Sequence, residues 1–485
     1  MGVEVVEPLH LKRAAGRPVP LDQLAKPRRG ISTNALLGMG LWLLLWLGYN
    51  TGPWYVMAPG FPANTTDLIH GVRAFFPMLA AWFAALMIFD RSYRVFYWIM
   101  GPLGLMLLYA VTGLVSSATL SPEPIDSLYY GANYLAIVLV LLAIVSVENP
   151  LPDLRYVLRF TWAVGTIFMF SLLGIIPFLG SQVISETQTS PVGAIAYTRV
   201  VGIMGMAGSR NTGFARYAAI SALVALPGFL RKGNLFVRFI WGILFTASLY
   251  ALVVANGRTE TLAFVGSVGV ILVAERTKRT VNLLVATAAA ILLGLRGFYS
   301  AFFLYLTRTG HVDLTLTGRT KIWEDGCRLL WQSPWVGFGF QADRYYLKWH
   351  LHNAFLHVLI QSGLLGGGAI LIGLAIVGCY LTKYFILQPP SDKSLIPPEI
   401  PAVFLFVILS SVLESTFAYF SATWLLSAPI VAYVLALHRH LQRARAKAAR
   451  EKLRRIRLAK LSLQAAESHE GIEVAPPLAA GGAEH

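Results

Sequence analysis

The amino-acid sequence predicts an all-α polytopic membrane protein of about twelve transmembrane helices, and three observations predict it. The 485 residues are 56% hydrophobic and only 13% charged, with a mean hydropathy of +0.61, whereas charged residues make up about 25% of an ordinary soluble chain. Many separate apolar runs reach the roughly 18–20 residues that cross a bilayer as a helix. Lys and Arg recur in alternate loops between those runs, and basic flanks mark the cytoplasmic side.

In chain order, residues 1–30 form a basic N-tail, so the first apolar run reads as a retained span and not a cleaved signal. The transmembrane domain covers 31–437. Its spans are read near Ile31–Asn50, Gly71–Phe89, Val95–Ser116, Leu128–Val147, Tyr156–Gly180, Gly213–Leu230, Leu235–Ala255, Thr259–Glu275, Val281–Ser300, Phe355–Leu381, Pro401–Phe417 and Ala422–Leu437. An even count puts both termini on one side, and the basic tails make that side cytoplasmic. Residues 438–485 read as a cytoplasmic basic helix followed by a Pro/Gly/Ala-rich end from Gly471. Most of the formal charge of +16 lies in the two tails. It therefore points to topology and attraction to membrane lipids, with no nucleic acid as partner. Cys327 and Cys379 lack zinc-ligand spacing, and no disulfide is expected between them. No cofactor is expected.

Three outer segments break the positive-inside pattern. Ser181–Thr212 carries Arg199 and Arg210, the turn Asn256–Arg258 carries Arg258, and the long loop 301–354 between spans 9 and 10 carries Arg308, Arg319, Lys321, Arg328, Arg344 and Lys348. Each taken alone is compatible with a solvated loop charge or a snorkelling arginine; together they suggest an anionic ligand at the outer face. Asn256-Gly257 is turn chemistry, which sets Arg258 beside a helix N-terminus. There, free N–H groups, the dipole and a planar guanidinium all favour phosphate. In the long loop, Thr317–Gln332 reads as an amphipathic helix with Ile322, Trp323, Gly326, Cys327, Leu329 and Leu330 on its apolar side, lying in the membrane plane with Arg319 in its first turn. Gly337-Phe338-Gly339 reads as a flexible turn. His350-Leu351-His352-Asn353 closes the loop. Histidine is the natural general base near neutral pH and Asn353 suits a sugar hydroxyl, but an interfacial histidine or a metal pair of His350 and His352 fits the same letters. Few carboxylates lie near in sequence, Asp343 and Asp313 being the closest, and no Asp-x-Asp occurs, so no metal site is expected. Gly363, Gly366, Gly367 and Gly368 read as helix-packing residues.

The order of these motifs is Gly-Arg-Thr between two spans, Thr-Gly-Arg-Thr-x-x-Trp with Pro-Trp-x-Gly-x-Gly, His-Asn, then Gln-x-Gly-Leu-Leu-Gly. It resembles the O-antigen ligase and polymerase superfamily of bacterial surface-polysaccharide assembly, from about Arg210 to Gly368. The resemblance implies an inner-membrane glycosyltransferase whose periplasmic loop caps a cavity. It implies a glycan donor on undecaprenyl diphosphate, a glycan or lipid A–core acceptor, and metal-independent transfer with inversion. Carried over by motif, Arg258 and Arg319 hold the diphosphate, with Arg210 a looser match. His352 stands at the acceptor, and Asn353 and Trp323 are candidates for binding acceptor sugar. The turn departs from the pattern, with Asn256-Gly257 where many members have Ser. The run Leu314–Trp323 looks more like exopolysaccharide polymerases than ligases. The competing reading is a transporter of a lipid-linked or anionic substrate. Transporters place charges at mid-membrane and often show repeated halves, whereas here the suspect charges cluster at one face and no repeat is visible.

Overall fold

A computed structural model gives the architecture; it describes residues 30–49, 63–175, 183–189, 196–203, 209–231, 233–255, 257–274, 319–386 and 396–470. The first six helices are α1 (Thr33–Gly48), α2 (Ala63–Asp90), α3 (Ser92–Ile99), α4 (Pro102–Thr119), α5 (Pro124–Val145) and α6 (Pro150–Ile175). A small antiparallel sheet follows, with β1 (Val183–Thr189) on β2 (Ala196–Ile203) and β2 on β3 (Ser209–Arg210). The remaining helices are α7 (Asn211–Leu230), α8 (Leu235–Ala255), α9 (Arg258–Ala274), α10 (Arg319–Leu330), α11 (Ala342–Tyr346), α12 (Ala354–Leu381), α13 (Glu399–Ser411) and α14 (Ala422–Glu470).

Among the described residues seven helices are long and apolar enough to cross a membrane: α2, α4, α5, α7, α8, α12 and α14; α1 and α13 are shorter and apolar. On α2 and α8 large apolar side chains such as Phe75, Trp82, Leu235 and Phe239 face outward, which suits lipid and not water. The chain is a multi-pass helical membrane protein. Residues 1–434 form one compact unit and Leu435–His485 another, the second holding the basic part of α14.

Several expectations are corrected. The span Val95–Ser116 is two helices, because Pro102, with no N–H and a fixed φ, opens α4 instead of continuing α3. The helix expected over Pro401–Phe417 ends at Ser411, and residues 412–421 are irregular. The all-α reading overlooked the sheet in the outer segment Ser181–Thr212. The span Val281–Ser300 lies outside the described residues, as do Asn256 and the stretch 301–318 of the long loop.

Serine and tryptophan side chains join the first helices to later ones. Ser32 caps α1 by accepting from Ala35 N–H at 3.0 Å, and its hydroxyl donates to Asp153 of α6 at 2.6 Å. Trp42 and Trp46 both donate to Thr161 of α6, at 3.1 and 3.0 Å.

The segment between α10 and α12 is plugged into the bundle by Phe340, which is fully buried. Gly113 of α4 and Gly131 of α5 make room for its ring: a Cβ there would come within 2.5 and 2.7 Å of it. The buried backbone around it is satisfied by serines, since Phe340 N–H donates to Ser117 at 3.0 Å and its carbonyl accepts from Ser127 at 2.8 Å.

Helix α12 is broken at Gly363, whose φ is +60°, and the loop uses the break. Phe338 N–H donates to Ile360 O at 2.8 Å and Gly339 N–H to Gln361 O at 2.9 Å; beyond the break, Leu364 N–H donates to Pro334 O at 2.7 Å and Leu365 N–H to Trp335 O at 3.1 Å. Gly337 (φ +70°) and Gly339 (φ +91°) take left-handed conformations that favour glycine. A Cβ at Gly337 would lie 2.5 Å from Ile360 O. The expected flexible turn is therefore a bonded joint between loop and helix, and the Pro-Trp-x-Gly-x-Gly and Gln-x-Gly motifs are its two halves.

Candidate active site

The site forms where α7, α9 and the segment after α13 meet the start of α10 and the turn before α12. Its centre is the Glu414 carboxylate. Oε2 accepts from Arg216 of α7 at 2.8 Å and lies 3.3 Å from His352 Nδ1, while Oε1 is 3.6 Å from the Arg319 guanidinium. Arg216 also donates to Glu260 of α9 at 3.1 Å. Arg319 donates to Leu413 O at 2.5 Å. The result is a continuous charge chain, Glu260–Arg216–Glu414, with Arg319 and His352 on its outer end. Glu260 and Arg216 are buried, while the side chains of Arg319 and His352 keep 24% and 30% of their surface exposed. A buried ion pair persists only when its partners are well bonded, and each carboxylate here has an arginine.

The guanidiniums of Arg216 and Arg319 and the His352 ring converge on the Glu414 carboxylate and favour its charged form. The carboxylate is therefore ionised and can only accept. In the neutral imidazole, Nδ1–H donates to Glu414 and Nε2 is the basic nitrogen, the imidazole–carboxylate arrangement of a general base.

A second carboxylate shapes the turn that carries His352. Asp343, fully buried, accepts from Leu351 N–H at 3.1 Å, lies 3.0 Å from His350 Nδ1, and its other oxygen is 3.1 Å from His357 Nε2. His357 in turn meets Ser415, beside Glu414, at 3.0 Å. Burial raises Asp343, but His357 and His350 more than reverse it and hold the carboxyl well below its ordinary value. Burial pushes His350 down to about 4, against the pull of Asp343. These bonds hold the chain just before His352, whose φ of +49° is uncommon for a non-glycine residue. Conformations of this kind cost about 1–3 kcal/mol and persist only when surrounding structure imposes them.

Asp343, His350 and His357 offer donor atoms within 4.8 Å of one another and could hold a metal ion. Asp343 is hydrogen-bonded to His350 and lies within ion-pair distance of His357, and we read the three as a staple. The alternative pair His350 and His352 divides between two carboxylates, although the rings lie only 4.6 Å apart. The expectation of few carboxylates near these histidines is corrected: Asp343 and Glu414 are each bonded to one.

The sequence-expected residues fall as follows. Arg319 is the first residue of α10 and Arg258 the first of α9. The Arg258 turn is pressed on α7, since a Cβ on Gly257 would meet Ala215 Cβ at 2.6 Å and the Glu260 carboxylate at 2.7 Å. Arg210 belongs to β3, and its side chain is not described. Trp323 donates to Leu351 O at 2.7 Å, and Asn353 caps α12 by accepting from Leu356 N–H at 2.9 Å, so both help to shape the His352 turn. Helix α10 does not turn its apolar side to the membrane plane. Leu329, with Ile322, Trp323 and Leu330, packs on Phe338, Leu351 and Ile360, and Cys327 is exposed.

Sequence reasoning missed Arg216, Glu260, Glu414 and His357. Arg216 and Glu414 are set in largely apolar stretches, and an ionisable residue in such a run is a functional candidate by default, while Glu260 stands two residues after Arg258. That signal was present and unused.

Fold and site define a multi-pass membrane protein with arginine, carboxylate and histidine side chains bonded into one polar centre. Residues 243–371 match the O-antigen ligase family, and that stretch includes Arg258, Arg319 and His352. A separate similarity is to the exopolysaccharide production protein ExoQ of Rhizobium meliloti (strain 1021), 34% identical over 71 residues, 11% of this chain and 16% of that protein. The chain therefore matches about a sixth of that relative's length.

Proposed function

We propose that this protein transfers a glycan from undecaprenyl diphosphate to an acceptor hydroxyl at the periplasmic face of the inner membrane, as a surface-polysaccharide polymerase or an O-antigen ligase, without a metal and with inversion. The observation that carries the reading is the shared Glu414 carboxylate. One side chain holds both a guanidinium and an imidazole, so an anion-binding group and a base stand beside each other.

The chemistry follows from that pairing. Nε2 of His352 takes the proton of the acceptor hydroxyl as its oxygen bonds to the anomeric carbon. The anomeric carbon–phosphate oxygen bond breaks on the opposite side, and its electrons leave with the diphosphate. A single displacement inverts the centre. Glu414 steadies the imidazolium that forms. Arg319 spends part of its donor set on Leu413 O and Glu414, and a guanidinium has five N–H donors, so it can also meet the departing phosphate; Arg258 and Arg210 are its partners in the proposal. Diphosphate is a good leaving group, and fixed positive charge in a partly dry site stabilises its developing charge.

The twelve-span topology, the cytoplasmic termini and the division into tails 1–30 and 438–485 around the domain 31–437 are part of the same proposal. Purified protein in lipid nanodiscs, given a defined undecaprenyl-diphosphate oligosaccharide and acceptor, is expected to elongate the acceptor equally in buffer and in chelator. Activity lost in chelator and restored by magnesium or manganese would overturn the metal-free step and move attention to Asp343, His350 and His357.

A further inference from the structure

We infer that the groove between α10 and the segment 346–349 is an oligosaccharide subsite, which holds sugar residues of the glycan several rings away from the bond being made. The inference rests on the transferase reading above and names where its long substrate lies.

The groove encloses about 420 Å³, inside the roughly 300–1,000 Å³ range of small-ligand sites. One wall is aromatic, formed by Tyr346 and Trp349; the other carries Asp325, Arg328 and Gln332; Leu329 is its apolar floor. Aromatic faces beside carboxylate, guanidinium and amide groups suit a sugar ring, which presents C–H on its faces and hydroxyls at its rim. A hydrocarbon chain would cover those polar groups and leave them unsatisfied. An isolated phosphate would meet Asp325 beside Arg328, which lie 3.8 Å apart, with Glu324 bonded to the same Arg328 at 2.6 Å; two carboxylates against one guanidinium leave that surface net negative.

The walls are built in advance. Tyr346 donates its hydroxyl to Leu120 O at 2.7 Å and its ring packs on Phe338 at 4.8 Å. Lys348 adopts a φ of +60°, and Trp349, which follows it, is 68% exposed. Leu329 packs in the cluster that contains Leu351, next to His352. The groove therefore shares its floor with the turn that carries the base, and it runs along the helix that begins with Arg319.

The test uses size-fractionated fragments of the polysaccharide exported by the source cell, titrated against full-length protein in nanodiscs while tryptophan emission is followed. Trp349→Ala is expected to weaken fragment binding by about tenfold, the scale of one aromatic stacking contact, and Asp325→Asn to weaken it also. Trp331→Ala, an exposed tryptophan outside the groove, leaves it unchanged, and His352→Ala retains it. Fragment binding that is indifferent to Trp349 and Asp325, or absent from the wild type, overturns the subsite. So does quenching of Trp349 by brominated lipid without protection by fragments, which would make the groove a lipid contact. Transfer by a wild type whose fragment binding ignores the groove would sink the subsite alone. Fragment binding at the groove by a wild type that transfers nothing would sink the transferase reading and leave the subsite standing.

Discussion

At the scale of single residues, His352 and Arg319 share Glu414 yet are given different tasks, and the difference can be measured. His352→Ala should keep donor affinity and lose rate by about 10²–10⁴-fold, the usual contribution of a general base. Arg319→Lys should lose donor affinity as well, because an ammonium cannot hold Leu413 O, Glu414 and a phosphate in one plane. A His352→Ala variant that loses donor affinity as Arg319→Lys does, with turnover of bound donor intact, would make His352 a phosphate ligand. His350 gives a separate expectation for stability. Its folded-state value of about 4 lies below the unfolded value near 6.5, so unfolding takes up a proton between them. The contribution is constant above about pH 6.5, and stability falls as pH drops toward 4. Thermal midpoints in detergent between pH 7 and 4.5 should show this slope, and His350→Gln should flatten it while lowering the midpoint at pH 7, where the bond to Asp343 is lost.

The elements show why some of this was legible in the sequence and some was not. The helix start at Arg258 follows from local turn chemistry, and the structure puts it at the first position of α9, directly after Gly257. The glycine motifs were visible but not their meaning. Gly337, Gly339 and Gly363 matter because two backbones 24 residues apart in the chain (Gly339 to Gly363) pair with each other, and no local pattern announces a non-local pairing. Glu414 stands out in the sequence as a charge in an apolar run, but its partners could not be read there, because Arg216, Arg319 and His352 come from three other segments. The plug at Phe340 makes the joint testable. Truncation of a buried phenylalanine costs about 3–5 kcal/mol, and Phe340→Ala should detach the loop before the bundle unfolds. Proteolysis of the variant in nanodiscs should cut near Trp335–Tyr346 while α4 and α5 remain protected; simultaneous loss of both would show that the plug holds the whole bundle instead.

For the whole molecule, the expectation with the widest reach is topology. Cysteine labelling at Ser190→Cys should occur from outside and at Ser391→Cys only from inside, in a background free of Cys327 and Cys379. External labelling of Ser391→Cys would dismantle the twelve-span arrangement. The charge chain described above also has a consequence for how the protein is made. Arg216 and Glu260 are 44 residues apart, whereas Arg216 and Glu414 are 198 apart. A ribosome thus delivers Arg216 and its first counter-charge within one stretch of synthesis, and α7 can settle into the lipid as a neutral pair with α9. Glu414 emerges last and finds Arg216 already waiting, with Arg319 and His352 beside it. The polar centre is completed only when Glu414 arrives, so a nascent chain halted before residue 414 holds Arg216, Arg319 and His352 without the carboxylate that joins them.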